Sequence, residues 1–448
     1  MITSTQIKAR ARRVLLSPIS PAATRLLGSL QWGRTRGDDG NDWPRLANAR
    51  RILVVKLDNI GDVVLMIPFV RALRLGNPHV RIDVVVRPAA AELLETCPYI
   101  NRLHILPVSS APAFGPWARY LQTMRMGFRL RQDPGPDLVV IPRWDVDHLH
   151  ATYLAYFTGA RWRVGYSETV CPEKQLWNAG YDSLLTHTIH DCAVMHEIVR
   201  GTELARRLGA PSAGEHLELW LKPRDKQYAR DFFENTELHG RAVVAVAPGA
   251  QAPKRRWPVA RYRELLEWIV GEFSCRILLL GGYSDLRVAD KLSSGLTGLV
   301  ADAVGKTTLG QAAAMLGRCV LYIGSDSGPV HLAAAMGLPV VTVSCHPDGG
   351  CPLSGNAPER FRPWVDRATV LRPAGFRSPC SGECTSRMPH CILGVRVEDV
   401  QRAVAPILLD PAGDTISGRK TDRVGHVQES EPSTIHRPMQ GSLRVRND

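Results

Sequence analysis

No apolar run in this chain approaches the ~18 residues that a membrane-crossing helix requires, and its N-terminus lacks the apolar core of an export signal. The expected location is therefore the cytoplasm. Aromatic residues are scarce, at 6%, which argues against a nucleic-acid surface made of stacking rings interleaved with cations, whatever the net charge. No G-x-G-x-x-G follows the first strand-like segment, which argues against a dinucleotide oxidoreductase. Gly305-Lys306-Thr307 has the ending of a phosphate-binding P-loop, but Val300 stands where that motif needs glycine, so a nucleoside triphosphatase is not expected. An Asp-x-Asp pair at a strand end is also missing. Its nearest match, Asp145-Val146-Asp147, is a weak candidate for metal ligation.

Length comes first among the features present. At 448 residues the chain exceeds one core and predicts two domains with tails. Its 44% hydrophobic and 22% charged residues suit a globular protein, and its net charge of +13 points to an acidic partner: phosphorylated substrate, anionic membrane surface or nucleic acid. Residues 1–48 read as a loosely held basic arm, with an amphipathic membrane-surface segment as the alternative. Apolar strands are expected at Ile52–Val55, Ile82–Val86 and Leu138–Ile141, then at Ala242–Ala247, Arg276–Leu280, Val320–Ile323 and Pro339–Val343. Helical patterns at Val63–Leu75, Leu149–Thr158, Val259–Phe273 and Leu309–Leu316 alternate with them. Such alternation means α/β architecture with two doubly wound domains, residues 49–220 and 221–409, whose strand-end loops face one cleft. Beyond Asp410 the composition predicts a disordered tail, residues 410–448.

Four strand ends carry the chemistry. Gly324-Ser325-Asp326-Ser327-Gly328-Pro329-Val330-His331 runs from a strand into a helix expected at His331–Met336, a place where unpaired N–H groups and the positive helix end attract phosphate. The plainer reading is a helix capped by Asp326 or Ser327. Pro248-Gly249-Ala250-Gln251-Ala252-Pro253-Lys254-Arg255-Arg256-Trp257-Pro258 ends in three cations before a helix, suited to a diphosphate; the alternative is a solvated basic loop. Asp285, after Gly281-Gly282, would meet ribose hydroxyls or cap a helix. In the first half, Asp62 follows Gly61 at a strand-to-helix turn, where a carboxylate can accept a proton from an attacking hydroxyl or cap the helix. Asp58 is the rival acid, with Lys56 available to offset its charge.

Taken in order, Arg51-Ile-Leu-Val-Val-Lys-Leu-Asp-Asn-Ile-Gly61-Asp62-Val-Val, Lys254-Arg-Arg-Trp257-Pro258, Gly305-Lys306-Thr307 and Asp326-Ser-Gly-Pro-Val-His331-Leu-Ala-Ala-Ala resemble the ADP-heptose:lipopolysaccharide heptosyltransferases, glycosyltransferase family nine. The resemblance spans Arg51 to Ala405. It implies a GT-B fold of two Rossmann-like domains about a central cleft, with acceptor bound by the N-terminal domain and nucleotide-sugar by the C-terminal one. Transfer of heptose from ADP-heptose to a lipopolysaccharide core acceptor would invert the anomeric centre without metal or other cofactor. Asp62 matches the general base; Arg255 or Lys254 matches the phosphate-binding cation, commonly lysine in the family; Asp326, Ser327, Gly328 and His331 match the nucleotide-diphosphate site. The nucleotide-sugar set is completed by Gly249, Arg256 and Asp285. Implied partners are the donor and a lipid-linked glycan, with peripheral contact at the cytoplasmic face of the inner membrane and no nucleic acid. Alternatives are another nucleotide-sugar, a different acceptor, or a scaffold that binds without transfer. Ten cysteines without an export signal read as thiols or metal ligands rather than disulfides. Cys380, Cys384 and Cys391 with His390, and Cys345 and Cys351 upstream, miss the usual zinc-knuckle spacing, so no metal is expected, and clusters of this kind near the C-terminus of relatives imply a structural role.

Overall fold

Apolar strand runs buried on both faces dictate the architecture, because a strand such as Arg51–Lys56, whose six residues are all buried, must lie inside a sheet covered by helices on each side. The computed structural model describes residues 19–30, 43–107, 115–132 and 134–409. Among them, one compact unit comprises residues 19–59 and 66–215, and the other residues 60–65 and 216–409.

The first unit is built on β1 (Arg51–Lys56), β2 (Arg81–Val86), β3 (Arg102–Ile105), β4 (Leu138–Ile141), β5 (Trp162–Tyr166) and β6 (His187–Ile189), in the sheet order β3-β2-β1-β4-β5-β6. The second uses β7 (Ala242–Ala247), β8 (Cys275–Leu279), β9 (Val300–Asp302), β10 (Leu321–Ser325), β11 (Val340–Val343) and β12 (Ala368–Leu371), in the order β12-β11-β10-β7-β8-β9. Every strand pairing is parallel. Both sheets therefore have the Rossmann order, with the direction of winding reversing between β1 and β4 and between β7 and β10. Those two junctions are where loops part and leave room for a ligand.

Two local expectations change. The helix expected over Val63–Leu75 is two helices, Ile60–Leu65 and Ile67–Gly76, broken at Met66 because Pro68 supplies no N–H and is accommodated only at the start of a new helix. The basic arm is not loose throughout: Pro21–Ser29 is a helix, entered through the Ser20 hydroxyl, which accepts from the Ala23 N–H. It is held by the buried Thr24 hydroxyl, 2.5 Å from the Tyr153 hydroxyl, and by the Tyr156 hydroxyl, which donates to the Leu27 carbonyl. Residues 1–18 and 31–42, and the tail 410–448, lie outside the described residues. No helix among the described residues is long and apolar enough to cross a membrane.

Candidate functional site

The second unit's winding reversal brings the sequence motifs together. β7 and β10 are adjacent, with Ala247 opposite Gly324, so the loop 248–258 and the segment 326–328 leave the sheet side by side. A Cβ at Gly324 would lie 2.5 Å from the Tyr322 hydroxyl and 2.7 Å from the Ala247 carbonyl oxygen. Glycine is thus required there by strand packing. Ser325, fully buried, donates to the Pro248 carbonyl and meets the Tyr262 hydroxyl, so its hydroxyl is used inside the fold.

The helix begins at Gly328 rather than His331, with Ser327 at its N-cap position. The Ser327 hydroxyl donates to the Gly249 and Ser325 carbonyls at 3.1 and 3.3 Å and makes no capping hydrogen bond. Asp326 does not cap the helix: its carboxylate stands 3.8 Å from the Arg255 guanidinium. The N–H groups of the first helical turn therefore keep the positive helix end available to an anion. His331, the fourth helical residue, is 5% exposed, and its Nδ1 has no hydrogen-bond partner. Burial, reinforced by the nearby Arg255 charge, lowers its pKa to about 4, so the imidazole is neutral at pH 7. Burial raises the Asp326 carboxyl, against the opposing pull of Arg255.

The three cations before Trp257 separate by what they touch. Lys254 donates to the Cys384 carbonyl, and Arg256 to the Ala250 carbonyl at 2.7 Å. Arg255 faces Asp326 and keeps a buried Nε without a partner. Trp257 is buried at 2% exposure, donates to the Val395 carbonyl and packs edge-on against Tyr262, which anchors the loop. Asp285 closes its own turn by accepting from the Gly282 N–H at 3.1 Å, the capping role that the sequence allowed. Its carboxylate also lies over Gly249, where an added Cβ would come within 2.4 Å of Oδ2.

Gly61 belongs to the same compact unit as His331. A Cβ at position 61 would be 2.5 Å from the His331 ring, so glycine allows the Ile60–Leu65 helix to lie against it, with half-buried Asp62 next in sequence. Asp58, the rival acid, is buried and ion-paired to Lys56 at 3.1 Å and to Arg143, which neutralises it. Asp147 accepts hydrogen bonds from the Ala151 and Thr152 N–H groups and from the Thr152 hydroxyl, each at 2.9 Å, the work of a helix cap. Asp145 pairs with Arg143 at 2.9 Å.

Sequence reading missed Ser344, His346 and Asn356, and considered Cys345 only as a metal or structural thiol. Ser344, Asn356 and Asp326 line one pocket, while Asn356 donates to the Cys345 thiol and Ser354 lies 3.2 Å from His346. Their signal was position: a polar run directly after an apolar strand, β11, that neighbours β10. Farther along, Cys380, Cys384, His390 and Cys391 come together, and Cys345 and Cys351 do not join them.

Comparison with known proteins bears on the family and the fold. The profile of glycosyltransferase family 9 (heptosyltransferase) matches residues 146–389. Lipopolysaccharide heptosyltransferase 2 of Escherichia coli K12 is 23% identical over 375 residues, covering 80% of this chain and 99% of that protein. Among solved structures, the family 9 glycosyl transferase of Veillonella parvula superposes with a TM-score of 0.63 at 21% identity, covering 80% of this chain and 97% of that one. The E. coli heptosyltransferase WaaC with ADP gives 0.57 at 19% identity, with 80% and 99% covered. The fold of the chain is that of these GT-B glycosyltransferases.

Proposed function

Because the chain belongs to glycosyltransferase family 9, the heptosyltransferases, we propose that it is the enzyme that moves heptose from ADP-heptose to a lipopolysaccharide core acceptor. On this reading the second unit takes the nucleotide-sugar and the first takes the acceptor. One observation carries it: Arg255, Asp326 and His331 meet at the adjacent ends of β7 and β10, beside an uncapped helix start and the turn that holds Asp62. The likeness to a lipopolysaccharide heptosyltransferase supports the sugar and the acceptor, and the likeness to WaaC, solved with ADP bound, supports the nucleotide.

In the reaction Asp62 takes the proton of an acceptor hydroxyl, and the oxygen attacks the anomeric carbon from the face opposite the diphosphate, inverting it. The bond from that carbon to the diphosphate oxygen breaks, and its electron pair leaves with ADP. Arg255 and the N–H groups at Gly328–His331 stabilise the charge that develops there, the Ser327 hydroxyl and Gly249 hold the two loops in register, and Lys254 and Arg256 add positive potential. Asp285 shapes the neighbouring turn toward the ribose. The chain's net +13 suits an anionic leaflet that would present a lipid-linked acceptor.

The test is Asp62→Asn, with calorimetric titration of ADP, GDP, UDP and dTDP beside a transfer assay. We expect ADP to bind best and equally well to both proteins, while transfer falls about a hundredfold or more in the mutant. Comparable turnover in the mutant would remove Asp62 from its role, and preference for another nucleotide would keep the fold and change the donor.

A further inference from the structure

Residues 373–396 wander between β12 and the Val397–Leu408 helix with no strand and only the short 3-10 turn Cys391–Gly394, yet three of their side chains, Cys380, Cys384 and Cys391, are buried in the unit's apolar core. An irregular segment of this length has few backbone pairings to hold it, and such segments are commonly stapled. The ligand-type atoms of Cys380, Cys384, His390 and Cys391 all lie within 4.8 Å of one another, and His390 Nδ1 is 3.5 Å from the sulfurs of both Cys380 and Cys391. A tetrahedron with metal–sulfur bonds of ~2.3 Å and metal–nitrogen bonds of ~2.0 Å has sulfur–sulfur edges of about 3.8 Å and sulfur–nitrogen edges of about 3.5 Å. The two sulfur–nitrogen distances match that edge, and the remaining donors, within 4.8 Å of one another, need close by no more than about 1 Å to reach theirs.

Local structure explains how the C-x3-C spacing serves. Gly382, with φ of 73°, lets the chain reverse between Ser381 and Glu383, which form an isolated bridge, and the turn folds Cys384 back beside Cys380. Backbone N–H groups of Thr385 and Ser386 are directed at the Cys380 sulfur, and that of Arg377 at Cys391, as they are around metal-bound thiolates. All ten cysteines are free thiols.

We infer that this chain holds one thiophilic divalent cation, zinc by the closed three-sulfur, one-nitrogen set, on Cys380, Cys384, His390 and Cys391, and that the ion clamps the loop on which the phosphate-facing cations rest. Coordination converts three thiols to thiolates and releases their protons to solvent. No open coordination position remains for a substrate, so the role is structural. The clamp acts through two bonds: the Cys384 carbonyl receives Lys254, and the Val395 carbonyl, four residues past Cys391, receives the Trp257 indole. This second half of the inference rests on the donor-site reading above; the metal site itself does not.

The experiment measures metal content of the full chain, purified under reducing conditions, by mass spectrometry, for the wild type, Cys384→Ser, Cys391→Ser and, as a control outside the cluster, the exposed Cys192→Ser. One equivalent of zinc in wild type and control, lost in the other two, is expected. Because the serine variants are liable to misfold, cobalt is also exchanged into the wild-type chain, where tetrahedral thiolate coordination appears as intense visible absorption. A folded wild-type chain with no stoichiometric metal, no such cobalt spectrum and all four groups open to modification would overturn the site. ADP titration before and after chelation then reads the clamp, with affinity expected to weaken about tenfold as a positioned charge is freed; unchanged affinity would overturn the clamp. If the metal is present and no nucleoside diphosphate binds in either state, the donor-site reading fails and the metal site stands.

Discussion

His331 shows how one side chain can be both structural and electrostatic. Burial and Arg255 hold its pKa at about 4, so on the proposed donor-site reading it meets an incoming diphosphate as a neutral ring, whose proton affinity the arriving negative charge would raise. Binding should accordingly take up a proton at pH values above about 4, and ADP affinity should strengthen as pH falls from 7 toward 5, flattening where both free and bound forms are neutral. Calorimetry in buffers of different ionisation enthalpy measures the uptake; His331→Gln should abolish it, and uptake that persists in that variant would assign the proton elsewhere. Sequence spacing was enough to single out Asp62, which follows Gly61 at a strand-to-helix turn, and His331, which lies in the first helical turn after the Gly324–Gly328 segment. It left Arg255 and Lys254 undivided. Only tertiary contacts separate them: Lys254 is tied to the Cys384 carbonyl, while Arg255 faces Asp326.

Among the elements, the loops after β7 and β8 press on each other through Gly249 and Asp285. Gly249→Ala would force its Cβ to within 2.4 Å of the Asp285 carboxylate, and overpacking of this kind costs about 1–3 kcal/mol. Denaturant unfolding should register that loss, and Gly249→Ala/Asp285→Ala should cost less than the sum of the two single changes; strict additivity would show that the loops do not couple. The central strands β1, β2, β4, β7, β8, β10 and β11 were legible as predominantly apolar runs, despite Asp83 in β2 and Arg276 in β8, because both of their faces are largely buried. β3, β6, β9 and β12 escaped notice: each is a three- or four-residue sheet edge, and in the first three Arg102, His104, His187 and Asp302 interrupt the apolar pattern. β5 was hidden by Arg163 and Gly165, although Arg163 is buried with its guanidinium spent on the Leu184 and Ala160 carbonyls.

At the scale of the molecule, each unit encloses a histidine that must stay neutral. His150 in the first and His331 in the second are both held at about 4, chiefly by burial, against about 6.5 unfolded. The unfolded chain therefore binds more protons between these values, so stability is complete above about pH 6.5 and falls as pH drops toward 4, by up to about 3 kcal/mol for each residue. Asp83, held at about 2, has the opposite sign: despite burial, which raises it, hydrogen bonds and charge from His104, Arg51 and Arg81 lower it. It stabilises above about pH 3.8 and loses that contribution only as pH falls through about 2, outside the histidine window. Urea midpoints at pH 7 and 5 should differ, and His150→Asn, chosen because asparagine tolerates the left-handed backbone at φ 58°, should reduce the acid loss of the first unit. Equal midpoints at the two pH values would contradict the buried neutral state.

The amino-acid sequence by itself determined the α/β class, the two halves and the motif loops, because each follows from apolar periodicity and small residues at strand ends, which are local properties. Tertiary structure alone decided which polar groups are spent and which remain. Asp58 and Asp147 are consumed by ion pairing and capping, the Ser325 and Ser327 hydroxyls by neighbouring carbonyls, and Lys254 by Cys384, whereas Arg255, Asp326 and His331 converge. It also gathered four ligand-type groups whose linear spacing fits no common knuckle. The reason is physical: the chemistry available to a polar group depends on which partners and how much water it retains after folding, and those are set by chain segments far away in sequence.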